Sequence, residues 1–182
     1  KNVDFILPAF KRGHWKTYTR FDGLASNSVR SIHQDKSGMI WLATDQGVCR
    51  YDGEIFETFT KTDGLSGNNV WDIYQHTNGD IWFGTSDGGI CRFNGYQFES
   101  FPDLNEGGVR VIEADASGNI WFAGGYWLDQ EGKGLWCFDG QRFIQFTTKD
   151  GLVLDKITSL HCADDGTVWA GHIYGGISRY HP

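Results

Sequence analysis

The sequence predicts an all-β fold: a β-propeller of four blades, each a four-stranded antiparallel sheet. Three observations predict it. A tryptophan recurs at Trp41, Trp82, Trp121 and Trp169, at intervals of 41, 39 and 48 residues. A period of about 40 residues carrying several short strands is the spacing of propeller blades. Helical repeats of similar period need apolar residues at i, i+3, i+4 and i+7, and no such stretch is sustained here. Finally, the chain opens with the one strand that its last repeat lacks, so that strand is expected to dock beside the last blade and close the ring. Two copies exchanging these strands would instead form an eight-bladed ring.

Residues 1–13 form a leader without repeat character, and residues 14–182 form the propeller. HWKTYTRFDGL at His14 aligns with IFETFTKTDGL at Ile55, so Trp15–Thr19 is expected to be an outer strand. A DGL turn follows at Asp22, Asp63 and Asp150, but the third repeat has PDLNEGG instead. Next come VRSIHQD, VWDIYQH, VRVIEAD and ITSLHCA, whose mixed alternation suits innermost strands covered on both sides. Apolar runs such as IWLAT and GVCRY, separated by turn chemistry such as TDQG, complete each blade. The blades are expected over residues 29–60, 70–101, 109–147 and 157–181. The long interval reflects an insertion, YWLDQEGK, at Tyr126–Lys133.

Composition bounds the function. The 25 glycines, 3 prolines and 15% aromatic content suit tight turns between short strands. A net charge of −7 argues against a nucleic-acid partner, which would need a basic surface to displace counterions. No run of about 18 apolar residues is present, so the chain holds no membrane-spanning segment. KNVDFILPAF is too short and wrongly flanked for a signal peptide, so a leader has been removed or was never present. Cys49 and Cys91 occupy one repeat position on neighbouring blades, Cys137 falls one residue later, and no CxxC spacing is found. The four cysteines are expected to be buried free thiols, with no metal and no cofactor.

Residues present in every blade read as scaffold. Gly38, Gly79, Gly118 and Gly166 suit a hairpin turn that requires positive φ, and Asp35 and Asp115 can accept from turn amides. The aligned tryptophans are expected to pack between blades.

DGLASNSVRSIHQDKSGMIWLATDQGVCRYDG resembles the two-component regulator propeller repeat, with its DGL–SN–V–SI–D–G–IW–GT–G–RYDG pattern. Four copies cover Trp15 to Tyr180; the third departs at PDLNEGG and at its insertion, and the fourth has GHIYGG in place of the GT segment. The resemblance implies a sensing or ligand-binding module like the periplasmic propellers of hybrid two-component systems, where glycan-derived ligands are among the inputs. It implies a periplasmic or extracellular location.

Function is expected where the repeat is broken, because a scaffold needs only the repeat. The breaks are the insertion (Tyr126, Trp127, Asp129, Gln130), the irregular His172, Ile173 and Tyr174, and an inner-strand position holding Arg30, Trp71, Arg110 and Thr158. Two arginines and a tryptophan at a central mouth can hold a carboxylated or sugar-like ligand by bidentate bonds and stacking. The competing reading pairs the arginines with Asp72 or Glu113 and makes Trp71 a channel plug. The primary expectation is a non-enzymatic ligand-binding or sensing propeller with a small-molecule or glycan ligand. The alternative is a structural or protein–protein assembly module, including a homodimer. A propeller lyase or hydrolase would have to use His161, His172 and Glu113, and no catalytic motif is present.

Overall fold

Short apolar runs bounded by Gly, Asn and Asp turns cannot bury themselves singly, and here they pair into stacked sheets. The computed structural model describes residues 14–101, 104, 108–124 and 132–182. The first blade contains β1 (Val29–Gln34), β2 (Ile40–Thr44), β3 (Gly47–Tyr51) and β4 (Phe56–Phe59). The second contains β5 (Val70–Gln75), β6 (Ile81–Thr85), β7 (Gly89–Phe93) and β8 (Phe98–Ser100). The third contains β9 (Val109–Ala114), β10 (Ile120–Gly124), β11 (Leu135–Phe138) and β12 (Phe143–Phe146), and the last β13 (Ile157–Cys162), β14 (Val168–His172) and β15 (Gly176–Tyr180). Every blade is an antiparallel meander in chain order. Register confirms the offset in the third blade: Trp121 lies opposite Cys137 where Trp41 lies opposite Arg50.

The core lies between blades. Trp41, Trp82 and Trp121 are almost wholly buried. Each stacks on its own blade's outer-strand ring, Phe59, Phe101 or Phe146, at 5.8, 5.6 and 5.6 Å. Each also meets a ring on the third strand of the next blade: Phe93 at 5.6 Å, Phe138 at 5.5 Å and Tyr180 at 5.5 Å. The indole N–H of Trp41 donates to Asp35 Oδ2, and that of Trp121 to Asp115 Oδ2, both at 2.8 Å. The other oxygen of Asp35 accepts from the Ser37 and Met39 amides at 2.9 and 3.0 Å, so one carboxylate organises a hairpin and anchors its tryptophan. Gly38, Gly79, Gly118 and Gly166 adopt φ of 94, 100, 85 and 83° in these hairpins.

Polar groups tie neighbouring blades. Asp72 accepts from its own blade's Ile73 amide, from Ile112 in the third blade at 3.0 Å and from Ser31 in the first at 3.2 Å. Glu113 Oε2 accepts from the Cys162 amide at 2.5 Å, and the His76 ring meets the Gly118 carbonyl at 3.0 Å. The DGL turns are single 3₁₀ turns (Arg20–Asp22, Lys61–Asp63, Thr148–Asp150), each closed by a reciprocal Thr–Asp capping box.

Among the described residues the N-terminal segment does not join the last blade, and the sheets are not closed into a ring. Residues 14–19 form no strand, and the last sheet has three strands among the described residues. Inner strands pack in the order β1, β5, β9, β13, and among the described residues β13 and β1 do not pack to a comparable extent. Tyr18 instead seats on the first blade, against Tyr51 and Phe56 at 5.4 Å each, where an outer-strand ring meets the blade that follows it. The described blades therefore form a row that is not closed by this segment.

Candidate functional site

All four inner strands carry a bulge at their second residue. Pairing runs from Val29 to Ser31 in β1, from Val70 to Asp72 in β5, from Val109 to Val111 in β9 and from Ile157 to Ser159 in β13. The skipped residues are Arg30, Trp71, Arg110 and Thr158. A bulge leaves its extra residue out of the ladder and re-aims its side chain. Because Val29 pairs with Thr44 at the end of β2, these residues lie at the face of the β2–β3 turns.

The bulges bring three side chains together. The Arg30 guanidinium lies 4.4 Å and the Arg110 guanidinium 4.0 Å from the centroid of the Trp71 ring. Since β5 packs between β1 and β9, the indole stands between two cations. Arg30 also donates through Nη1 to the Asn69 side chain and, at 3.2 Å, to the Val70 carbonyl. Burial pulls the Arg110 pKa down, and the Arg30 charge pulls it further. The Trp71 indole N–H is buried without a hydrogen-bond partner among the described residues. A like-charged pair held against one ring, in a chain of net charge −7, is a local positive site with an aromatic floor.

The carboxylates expected as alternative partners are engaged elsewhere. Asp72 is held by Ile73, Ile112 and Ser31, and burial raises its pKa. Glu113 is taken by the Cys162 amide and stands 3.9 Å from His161 Nδ1. Thr158 completes the position on β13, its hydroxyl donating to the Gly171 carbonyl at 3.3 Å.

The remaining candidates do not join this cluster. His172 is buried within the last blade, its Nε2 2.8 Å from Ser178 Oγ, and burial lowers its pKa. Its side chain is a strut of the β14–β15 ladder. Tyr174 is fully exposed at φ 60° in the β14–β15 turn. Tyr126, Trp127 and Asp129 lie outside the described residues. A cleft of about 340 Å³ opens on the opposite, hairpin face between the first two blades, and sequence reasoning did not anticipate it. Its polar groups already have protein partners: Lys36 Nζ bonds the Thr77 carbonyl at 2.7 Å, and Arg50 pairs with Glu57 at 2.5 Å.

Comparison with known proteins places the repeat. The family model "Two component regulator propeller" matches residues 23–46 and 64–87. A 43-residue stretch is 42% identical to a histidine kinase of Formosa agariphila, covering 24% of this chain and 3% of that protein. The extracellular domain of a hybrid two-component system from B. thetaiotaomicron superposes with a TM-score of 0.77 at 23% identity, over 96% of this chain and 24% of that one. The extracellular domain of a one-component system from the same organism superposes at 0.66 and 24% identity, over 86% and 23%. Virginiamycin B lyase from Staphylococcus aureus superposes at 0.56 and 17% identity, over 87% and 56%. These structural likenesses show the fold alone. The chain spans 24% and 23% of these two extracellular domains and 3% of the histidine kinase.

Proposed function

We propose that this chain, built from two-component regulator propeller repeats, is a non-enzymatic ligand-binding module of a sensory protein exposed to the periplasm or the exterior. The Arg30–Trp71–Arg110 stack carries the reading. Guanidinium forks bind carboxylates and sulfates bidentately, and the two held here flank one indole, so the ligand is an acidic saccharide or a small carboxylate. The extracellular character of the similar solved domains supports the location. The thiols are compatible with it: Cys49, Cys91 and Cys137 are buried, and burial pushes Cys137 and Cys162 up to about 12. Cys137 and Cys162 therefore stay protonated at neutral pH, and the thiol is the unreactive form.

The test is calorimetric titration with uronate-bearing oligosaccharides and their neutral counterparts. Saturable binding of the acidic set is expected, weakened at least about tenfold in Arg110→Ala, as for loss of one charge-assisted pair. Trp71→Ala and Arg30→Ala should weaken it similarly. Affinity unchanged in all three, but lost in Trp127→Ala, would move the site to the insertion. No binding by any of them would remove the ligand reading.

A further inference from the structure

The arginine–tryptophan stack is assembled from three blades, and a bulge frees each of its members from its own ladder. The Trp71 indole N–H has no hydrogen-bond partner among the described residues, so no hydrogen bond of its own fixes the ring. The two guanidiniums reach that ring only if β1 and β9 stand at the right spacing and height on either side of β5.

One carboxylate sets both. Asp72 directly follows Trp71, and at Asp72 β5 rejoins its ladder, opposite Gly84. Its Oδ1 accepts from the Ile73 amide at 2.9 Å and from the Ser31 hydroxyl at 3.2 Å, and its Oδ2 accepts from the Ile112 amide at 3.0 Å. Ser31 directly follows Arg30, and Ile112 lies just past Arg110 on β9, so each of these bonds fixes the strand beside one arginine. The same repeat position holds Ser31, Val111 and Ser159 in the other blades; of the four, only the blade that carries the indole has a carboxylate there. Gly84 lets the third blade come close at this level: a Cβ on it would stand 2.8 Å from Val109 Cγ1, and Val109 precedes Arg110.

We propose that Asp72 is the positioning residue of the Arg30–Trp71–Arg110 site, a role that rests on the ligand-binding reading of that stack. It holds three inner strands at the spacing that keeps both guanidiniums on the indole. An ionised carboxylate is an acceptor only, and all three groups facing this one are donors. An asparagine of the same size cannot replace it. Its one carbonyl oxygen serves either Ser31 and Ile73 or Ile112, and its amide NH₂ then faces a donor on the other side. In either orientation one arginine-bearing strand is released. A countercharge would behave in the opposite way, because removing a negative charge beside two arginines raises the local positive potential and tightens anion binding.

The test uses the full chain and the variants Asp72→Asn and Ser31→Ala. In the first measurement acrylamide quenches the Trp71 component of the fluorescence, taken as the difference from the matching Trp71→Phe protein. Quenching should rise in Asp72→Asn as a guanidinium leaves the ring; an unchanged Trp71 component overturns the proposal. In the second, trigalacturonate is titrated by calorimetry well below the unfolding midpoint. Affinity should fall at least about tenfold in Asp72→Asn, as for loss of one charge-assisted pair, at unchanged stoichiometry. Tighter binding would make Asp72 a countercharge, and reduced stoichiometry at unchanged affinity would make it a fold-stabilising residue alone; each overturns the proposal. Ser31→Ala keeps the Ile73 and Ile112 bonds, so it remains informative if Asp72→Asn fails to fold. It should weaken binding in wild type and add nothing in Arg30→Ala, because it acts through that arginine; additive losses overturn the proposal. If wild type does not bind trigalacturonate, the ligand reading falls, and the quenching comparison still decides whether Asp72 holds the stack.

Discussion

Replacing Trp41 by alanine tests whether the blade interface, and not the individual sheet, holds the row of blades together. The side chain is 1% exposed, stacks on Phe59 and meets Phe83 and Phe93 across the interface. Burial of about 150–250 Å² at ~25 cal/mol per Å² gives an upper bound of about 4–6 kcal/mol. Truncations of buried aromatics cost about 3–5 kcal/mol. Losing the indole donor to Asp35 adds about 1 kcal/mol. A total of about 4–6 kcal/mol is a large share of the ~5–15 kcal/mol that stabilises a domain. With an m-value of about 2 kcal/mol/M in urea, the unfolding midpoint should fall by roughly 2 M or more. The control is Trp169→Ala, the same repeat position without an aromatic neighbour among the described residues. There the loss should be only about 1–2 kcal/mol, in proportion to the lesser burial. Equal losses at the two positions, or less than about 2 kcal/mol at Trp41, would refute the reasoning.

Gly47→Ala forces a Cβ against the Phe59 carbonyl at φ 125°, whereas Gly176→Ala at φ 75° meets open space; urea midpoints should drop far more for the first. Thr60→Ala removes the hydroxyl that caps the second DGL turn, and chemical denaturation should show a loss of about 0.5–2 kcal/mol. Burial pushes Asp35 and Asp115 up, but bonds from Ser37, Trp41 and Met39 to the first and from Trp121, Asn119 and Ser117 to the second outweigh it, so both lie below the ordinary carboxylate value. Their folded pKa is depressed, so their contribution is complete above about pH 4 and lost as pH falls through the folded value. Unfolding midpoints should decline below that pH, less steeply in Asp35→Asn; an unaltered slope counts against the linkage. Ellman's reagent should label the native thiols far more slowly than the urea-unfolded chain, and rapid labelling of native Cys91 or Cys137 would contradict their burial.

Much of this architecture was legible in the sequence because it is written several times. The tryptophan column gives the period and blade number, and the one-residue offset at Cys137 was visible before its register confirmed it. The Asp35–Trp41 and Asp115–Trp121 links were also readable, as an aspartate six residues before the tryptophan in two repeats, yet only their turn role was anticipated. Ring closure was not legible. A sequence shows which strand a blade lacks, but the angle between blades is set by packing of rings such as Phe59, Phe93 and Phe98, and no local pattern encodes it. His172 looked like a break in the repeat and therefore a site; the structure turns it inward onto Ser178.

The arginine–tryptophan stack lies between these cases. Alignment placed Arg30, Trp71 and Arg110 in one column, but in a regular ladder that column would be one paired position among many. The bulge changes this, and it had no signature, because its extra residue is an arginine, a tryptophan or a threonine rather than a glycine. All four inner strands keep the bulge while the residue it presents differs from blade to blade. A purely structural position would show the opposite, one residue type serving one contact, as the tryptophan column does. The geometry at the mouth therefore belongs to the scaffold, and the chemistry mounted on it is free to differ from blade to blade. Arg30 also ties the first blade to the second through the Val70 carbonyl, and burial, with the Arg30 charge as the smaller cause, lowers the Arg110 pKa. An anion arriving beside them would be attracted by both guanidiniums. Binding should thus weaken with salt as well as with Arg110→Ala; salt-independent affinity would count against recognition by the arginines.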